Sequence, residues 1–192
     1  MSDADLMLAR IKSSGIAADL LAGYFDFEVT SDEPAEETRL ASGAALEAIA
    51  GESTGGVYYL CGVGSRPVIF ATSEGQAGLI AASLAEALEL IVGVPYWQDC
   101  LKFSGGGSLD EMRLAAVRLE HDLQQDFPQA KQQQEPLRRE LGLPQTPVED
   151  LLAKLHESAA GTEPDFVLLG PDGDMHESLF NTFRVSDNPA WR

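Results

Sequence analysis

Residues 57–72 read VYYLCGVGSRPVIFAT, and the fold follows from how this stretch is taken. Two runs rich in β-branched and aromatic residues, 57–61 and 68–72, flank a turn segment containing Gly62, Gly64, Ser65 and Pro67. Such a pattern predicts two antiparallel strands joined by a loop longer than two residues. Upstream, 45–50 reads as a further short strand, closed by Gly51 and the turn-rich ESTGG at 52–56. Downstream, SEGQAG at 73–78 is another turn, and it leads into a brief strand at Leu79 and Ile80. YFDFEVT at 24–30 alternates apolar or aromatic with acidic residues, the period-two signature of a half-buried strand. SDEPAEE at 31–37 reads as an acidic loop.

Helices surround this β-rich middle. Residues 3–12 predict a short helix with Ser2 as N-cap, and 16–22 a second helical piece after Gly15. Ser83 and Glu86 make a capping-box pair ahead of an apolar stripe of Leu84, Leu88 and Ile91, which Gly93 and Pro95 terminate. YWQDCLKF at 96–103 reads as a loop, and SGGG at 104–107 as a hinge or linker. Ser108 and Glu111 repeat the capping pattern before a longer helix with Leu109, Met112, Ala116, Leu119 and Leu123 on one face. A polar helical piece follows over 129–142, weakened in its first half by Pro136. Thr146, Pro147 and Glu149 then supply an N-cap, a first-turn proline and an acid for a helix with Val148, Leu151, Leu152 and Leu155 as its core face. The tail returns to β signals, with a strand at 166–169 and a return strand at 175–180 that re-enter the sheet or form a small hairpin of their own. This order predicts an α+β domain over 1–192: a mainly antiparallel twisted sheet packed by helices, with 108–160 as a helical insertion or appendage.

The chain has 192 residues, with 13 Lys and Arg against 31 Asp and Glu, for a formal charge of −18. The excess is distributed: residues 1–104 carry 5 basic and 15 acidic groups, and 105–192 carry 8 and 16. Such a field opposes binding to nucleic acid or to anionic membranes and favours a basic protein partner. Charge of this size also keeps a protein dispersed. Two cysteines, no basic-then-apolar leader, and an apolar stretch at 77–94 interrupted by Glu86 and Glu89 place the chain in the cytoplasm as an expectation.

The motifs that could carry chemistry are thin. Gly62, Gly64 and Ser65 lack the third glycine and the following helix of a nucleotide loop. The glycines at 105–107 have no Lys or Arg beside them, and Asp110 and Glu111 would repel phosphate. His121, His156 and His176 form no i, i+4 ligand pair; His121 and His156 read as solvated positions. Cys61 fits a small buried residue, and Asp99 beside Cys100 opposes a thiolate there. Asp172, Gly173 and Asp174 lack the spacing of a calcium loop and read as a turn. No metal, cofactor or catalytic residue is assigned. Tyr96, Trp97 and Asp99 are the partner-binding candidates, since aromatics beside an acid suit an interface anchor; the alternative is that Trp97 covers the sheet.

The run TGGVYYLCG at 54–62 followed by RPVIFATSEGQAGLIAASLAEALELIV at 66–92 resembles the core of the SUKH superfamily. That group includes yeast cell-wall-synthesis regulators and many bacterial immunity proteins. The shared order is a glycine-led aromatic strand, a second strand, a polar turn, and a helix entered here through Ile80, Ala81, Ser83, Leu84, Glu86 and Leu88. The likeness covers about residues 55–100; the usual N-terminal signature of the family is not visible in 1–43, and 108–160 reads as an addition. The resemblance implies an α+β fold without enzymatic activity, and a role in binding and neutralising a toxin with a basic surface. The expectation is therefore a non-enzymatic, immunity-type binding protein. The rivals are a regulatory or scaffold protein that acts through 108–160 or as a homodimer, and an enzyme with dispersed catalytic residues.

Overall fold

The computed structural model describes residues 2–30 and 38–191, and the acidic loop expected at 31–37 lies outside the described residues. The molecule is α+β. Strands β1 (Glu28–Val29), β3 (Leu46–Gly51), β4 (Val57–Cys61), β5 (Val68–Ala71) and β6 (Ala77–Ala81) form one sheet in the order β1-β3-β4-β5-β6. Every neighbouring pair is antiparallel. The hairpin read from 57–72 is present, with Tyr58 opposite Phe70 and Leu60 opposite Val68. A second sheet holds only β2 (Arg39–Leu40) and β7 (Leu168–Leu169), also antiparallel.

Period-two alternation sorts the strand residues onto two faces. Tyr58, Leu60, Val68, Phe70 and Ile80 join the main core, while Tyr59, Cys61, Ile69, Ala71 and Ala77 join a smaller cluster on the other side. Helices α1 (Asp3–Ser13), α2 (Gly15–Tyr24), α3 (Leu84–Gly93), α4 (Trp97–Lys102), α5 (Leu109–Asp126), α6 (Pro128–Leu141) and α7 (Val148–Ala160) all contribute to the main core. The opposite face is covered by Leu40, Phe166 and Leu168 from the two-stranded sheet and its approach. Among the described residues no helix is long and apolar enough to cross a membrane.

Several local expectations change. Only Glu28 and Val29 of the alternating stretch 24–30 are strand, because Tyr24 finishes α2 and Asp26 turns the backbone to φ 53°. Asp26 is held there by Ser53, whose N–H and hydroxyl donate to its carboxylate at 2.8 and 2.9 Å. Residues 97–102, read as loop, are helix α4. Thr146 does not cap α7; its hydroxyl donates to Glu89 of α3 at 2.9 Å, and Pro147 takes the cap position. The helices over 108–160 are not an appendage in packing terms, since Met112, Ala116, Leu137, Leu141, Leu151, Leu152 and Leu155 all lie in the main core. Pro136 leaves α6 continuous. The C-terminal β signals pair with β2 and not as a full strand of the main sheet, although Glu177 forms one parallel bridge with Gln76 at the start of β6.

Candidate functional site

Two features meet at one end of the molecule: an acidic C-terminal strap and a polar cleft beside it. The strap begins after α7 and runs over 162–183. It is tied down at successive points. Ala41 donates to the Val167 carbonyl at 2.8 Å, Ala77 to Glu177 at 2.8 Å, and the Gln76 side-chain amide to Ser178 at 3.2 Å. Its own Leu168 and Leu179 are buried.

The glycines at 105–107 complete the anchoring and are not a free hinge. Their φ angles are 60°, 86° and 104°, a left-handed run that favours glycine. In this conformation the Gly105 and Gly106 N–H groups donate to the carbonyls of Phe183 and Asn181 at 2.7 and 2.8 Å. The fully buried Ser104 hydroxyl donates to the same Asn181 carbonyl at 3.0 Å. Two backbone N–H groups that would have to face an anion are therefore spent on the strap. His156, expected at a solvated helix end, instead donates from Nε2 to the Gly107 carbonyl at 2.8 Å and packs against the Phe180 ring.

The strap carries Glu157, Glu163, Asp165, Asp172, Asp174 and Glu177 on or next to it, all exposed, and the chain has no Lys or Arg between Lys154 and Arg184. The Arg39 guanidinium reaches the turn at Gly173, but among the described residues it forms no ion pair with Asp172 or Asp174.

The cleft, of about 390 Å³, opens between the strap, the β5–β6 turn and α4. Phe70, Trp97, Leu101 and Leu179 form its floor. Its polar wall comes from Thr54, Thr72, Ser73, Glu74, Gln76, Gln98, Asp99, Lys102 and Asn181. Much of that polarity is already committed. Thr54 donates to Glu52, Thr72 bonds to Gln76 within the turn, and Asn181 Oδ1 accepts from Thr182. Glu74 and Asp99 are different: neither accepts a hydrogen bond or joins an ion pair among the described residues. Asp99 is open to water through the cleft mouth, yet the walls around it strip much of its hydration. Burial therefore pushes its carboxyl above the ordinary aspartate range, and the Lys102 charge offsets this only in part.

The three partner-binding candidates separate by burial. Trp97 is 2% exposed, with its ring edge-on to Phe70 at 5.1 Å, and Tyr96 is 8% exposed, its hydroxyl donating to Glu120 at 2.9 Å. Both are core residues, so neither is a surface anchor; of the three, Asp99 alone faces solvent. The reason is that 96–103 forms a helix whose aromatic side turns toward the sheet. Sequence reasoning did not assign Glu74, because a lone acid in the turn SEGQAG carries no signal until the fold brings α4 beside it.

The remaining chemistry-bearing groups are dispersed. Cys61 and Cys100 lie on opposite sides of the sheet. Burial pushes the Cys61 thiol up to about 12 and also raises Cys100, to which the Asp99 charge adds, so both resist forming thiolates at neutral pH. His121 is exposed beside Gln125, and Asp172 and Asp174 flank a turn. Compared with known proteins, the chain matches no family model, no curated protein and no solved structure.

Proposed function

We propose that this chain is a non-enzymatic binding protein that takes a basic protein partner onto its acidic strap. One observation carries the reading: five exposed carboxylates, Glu163, Asp165, Asp172, Asp174 and Glu177, sit on a strap whose backbone is fixed to the sheet and to the 104–107 loop, in a stretch without Lys or Arg. Fixed like charges of this kind speed encounter with a cationic surface and reject anionic ones. The resemblance of 55–100 to the SUKH core supplies the partner class: a toxin with a basic surface, held in check by occlusion. The thiols are buried and protonated, which supports binding over nucleophilic catalysis.

The test is capture of partners by the intact chain from its native host, followed by measurement of affinity against salt. A basic protein whose association weakens steeply with salt, and weakens again for the Asp172→Asn, Asp174→Asn, Glu177→Gln variant, supports the reading. Salt-independent association, or a variant that binds as well as wild type, overturns it.

A second reading, self-association through α5, draws on Leu114 and Val117, which are 57% and 70% exposed one turn apart. Sedimentation at micromolar concentration separates the two, a monomer excluding the dimer.

A further inference from the structure

We infer that the side of α5 bearing Glu111 and Asp122, with the Phe103 ring at its edge, is a docking groove for a peptide segment of the basic partner that carries an arginine and an aromatic residue. The segment 184–191 of this chain occupies the groove in cis and competes for it. The inference deepens the proposed function and rests on it for the identity of the partner.

The seated segment shows what the groove accepts. Residues 185–187 and 189–191 form two short 3-10 turns, neither with a buried residue. Their backbone hydrogen bonds are made within the segment. The Arg184 N–H donates to the Asp187 carboxylate at 2.8 Å, the Asp187 N–H to the Arg184 carbonyl at 3.0 Å, and the Trp191 N–H to the Asn188 carbonyl at 3.2 Å. Contact with the body is made by side chains and one amide. The Val185 N–H donates to Glu111 at 3.2 Å, the Arg184 guanidinium stands 3.9 Å from the same carboxylate, and the Trp191 indole N–H donates to Asp122 at 2.9 Å. Phe103 lies between the two ends, its ring 6.4 Å from Phe183 and 4.7 Å from Trp191.

Such a segment is held as a ligand is held. On leaving it keeps its internal hydrogen bonds, while the Val185 N–H and both carboxylates return to water. Arg184 is 61% exposed, so its ion pair adds little. Asp122 follows Glu111 by eleven residues, three turns of helix, which puts both acids on one side of α5 roughly 16 Å apart. The groove therefore reads spacing: a cation and an N–H at one end, an indole N–H at the other, and a ring against Phe103. An anionic ligand would meet Glu111 and Asp122. The groove is also continuous with the acidic strap, since the Asn181 and Phe183 carbonyls are fixed by Gly106 and Gly105 just before Arg184 begins. A basic surface steered onto the strap thus arrives beside it.

The probe is the acetylated, amidated and fluorescently labelled peptide FRVSDNPAW, the sequence of 183–191, read by anisotropy. It is titrated into the full chain and into the full chain carrying Arg184→Ala and Trp191→Ala, which frees the groove; a cooperative thermal melt shows that this variant folds. A tethered segment acts at an effective concentration on the order of millimolar, so one that stays docked has an intrinsic Kd below that. Saturable binding to the variant is expected, and binding to wild type about tenfold weaker for a Kd of roughly 0.1 mM. Adding Glu111→Gln or Asp122→Asn to the variant should weaken the peptide roughly tenfold, the effect of losing a hydrogen bond to a charged group. Equal binding to wild type and variant, or no saturation of the folded variant at millimolar peptide, overturns the inference. A wild-type dimer that the variant loses gives the groove to a second copy and overturns the basic partner as its occupant. The captured partner should bind the variant more tightly than wild type; equal binding excludes the groove while the strap reading stands. If strap substitutions leave the partner's binding unchanged, the proposed function fails, and competition between peptide and segment still supports the groove.

Discussion

Asp99 meets two demands that pull in opposite directions. As a carboxylate it faces the cleft and solvent, and the cleft walls that partly desolvate it hold its proton more tightly than bulk water does. A carboxyl whose folded pKa stands above its unfolded value is disfavoured as an anion in the folded state. Its ionisation at neutral pH therefore costs stability, and the cost disappears at low pH where both states carry the proton. Asp99→Asn should raise the melting temperature at pH 7, with the gain shrinking as pH falls toward about 4, the ordinary aspartate range, and gone below it. Thermal melts of both proteins across that interval check the sign. Close packing sets the cleft floor at the same scale. A Cβ built on Gly56 would stand 2.6 Å from the Phe70 ring, so this glycine is what allows Phe70 to lie where it does.

At the scale of elements, the end of α3 depends on one side chain from another helix. Helix C-termini leave carbonyls without intrahelical partners. Gln134, buried in α6, donates to the Val92 carbonyl at 2.8 Å and approaches that of Gly93 at 3.4 Å. Gln134→Leu keeps bulk but leaves a buried acceptor without its donor, at a cost of about 1–3 kcal/mol. Urea denaturation should show a lower midpoint with an unchanged m-value. Gln134 stands in the run Gln132, Gln133, Gln134, where residue type does not single it out and only its register with Ala130, Leu137 and Leu141 puts it on the buried face. The capped helices were legible because Ser2, Ser83 and Ser108 act on residues three positions away: each hydroxyl accepts from the expected backbone N–H. Helix α4 was not, since its six residues are too few to display a period. The stretch 24–30 alternated correctly but was broken by Ser53, a residue 27 positions from Asp26.

Across the whole molecule, the core makes one body of the helices and the sheet. Leu137, Leu141, Leu151, Leu152 and Leu155 from 108–160 pack in the same cluster as Tyr58, Phe70 and Trp97. A chain lacking 108–160 should therefore fail to fold cooperatively, losing both the near-ultraviolet circular dichroism of its buried aromatics and a sigmoidal melt. A stable remainder would mean that the helices are an independent docking element.

The amino-acid sequence by itself determined the composition of the layers. Alternating apolar residues specify strands, hydroxyl caps and apolar stripes specify helices, and an excess of 18 acidic groups specifies the sign of the surface. These are short-range or additive properties, and they require no knowledge of what touches what. Tertiary structure alone decided that Trp97 is core and Asp99 is accessible, that the glycines at 105–107 hold the strap, and that Glu74 shares a cleft with α4. Each of those outcomes depends on which surfaces meet across the sheet. Burial, unlike propensity, is a property of the meeting and not of the residue.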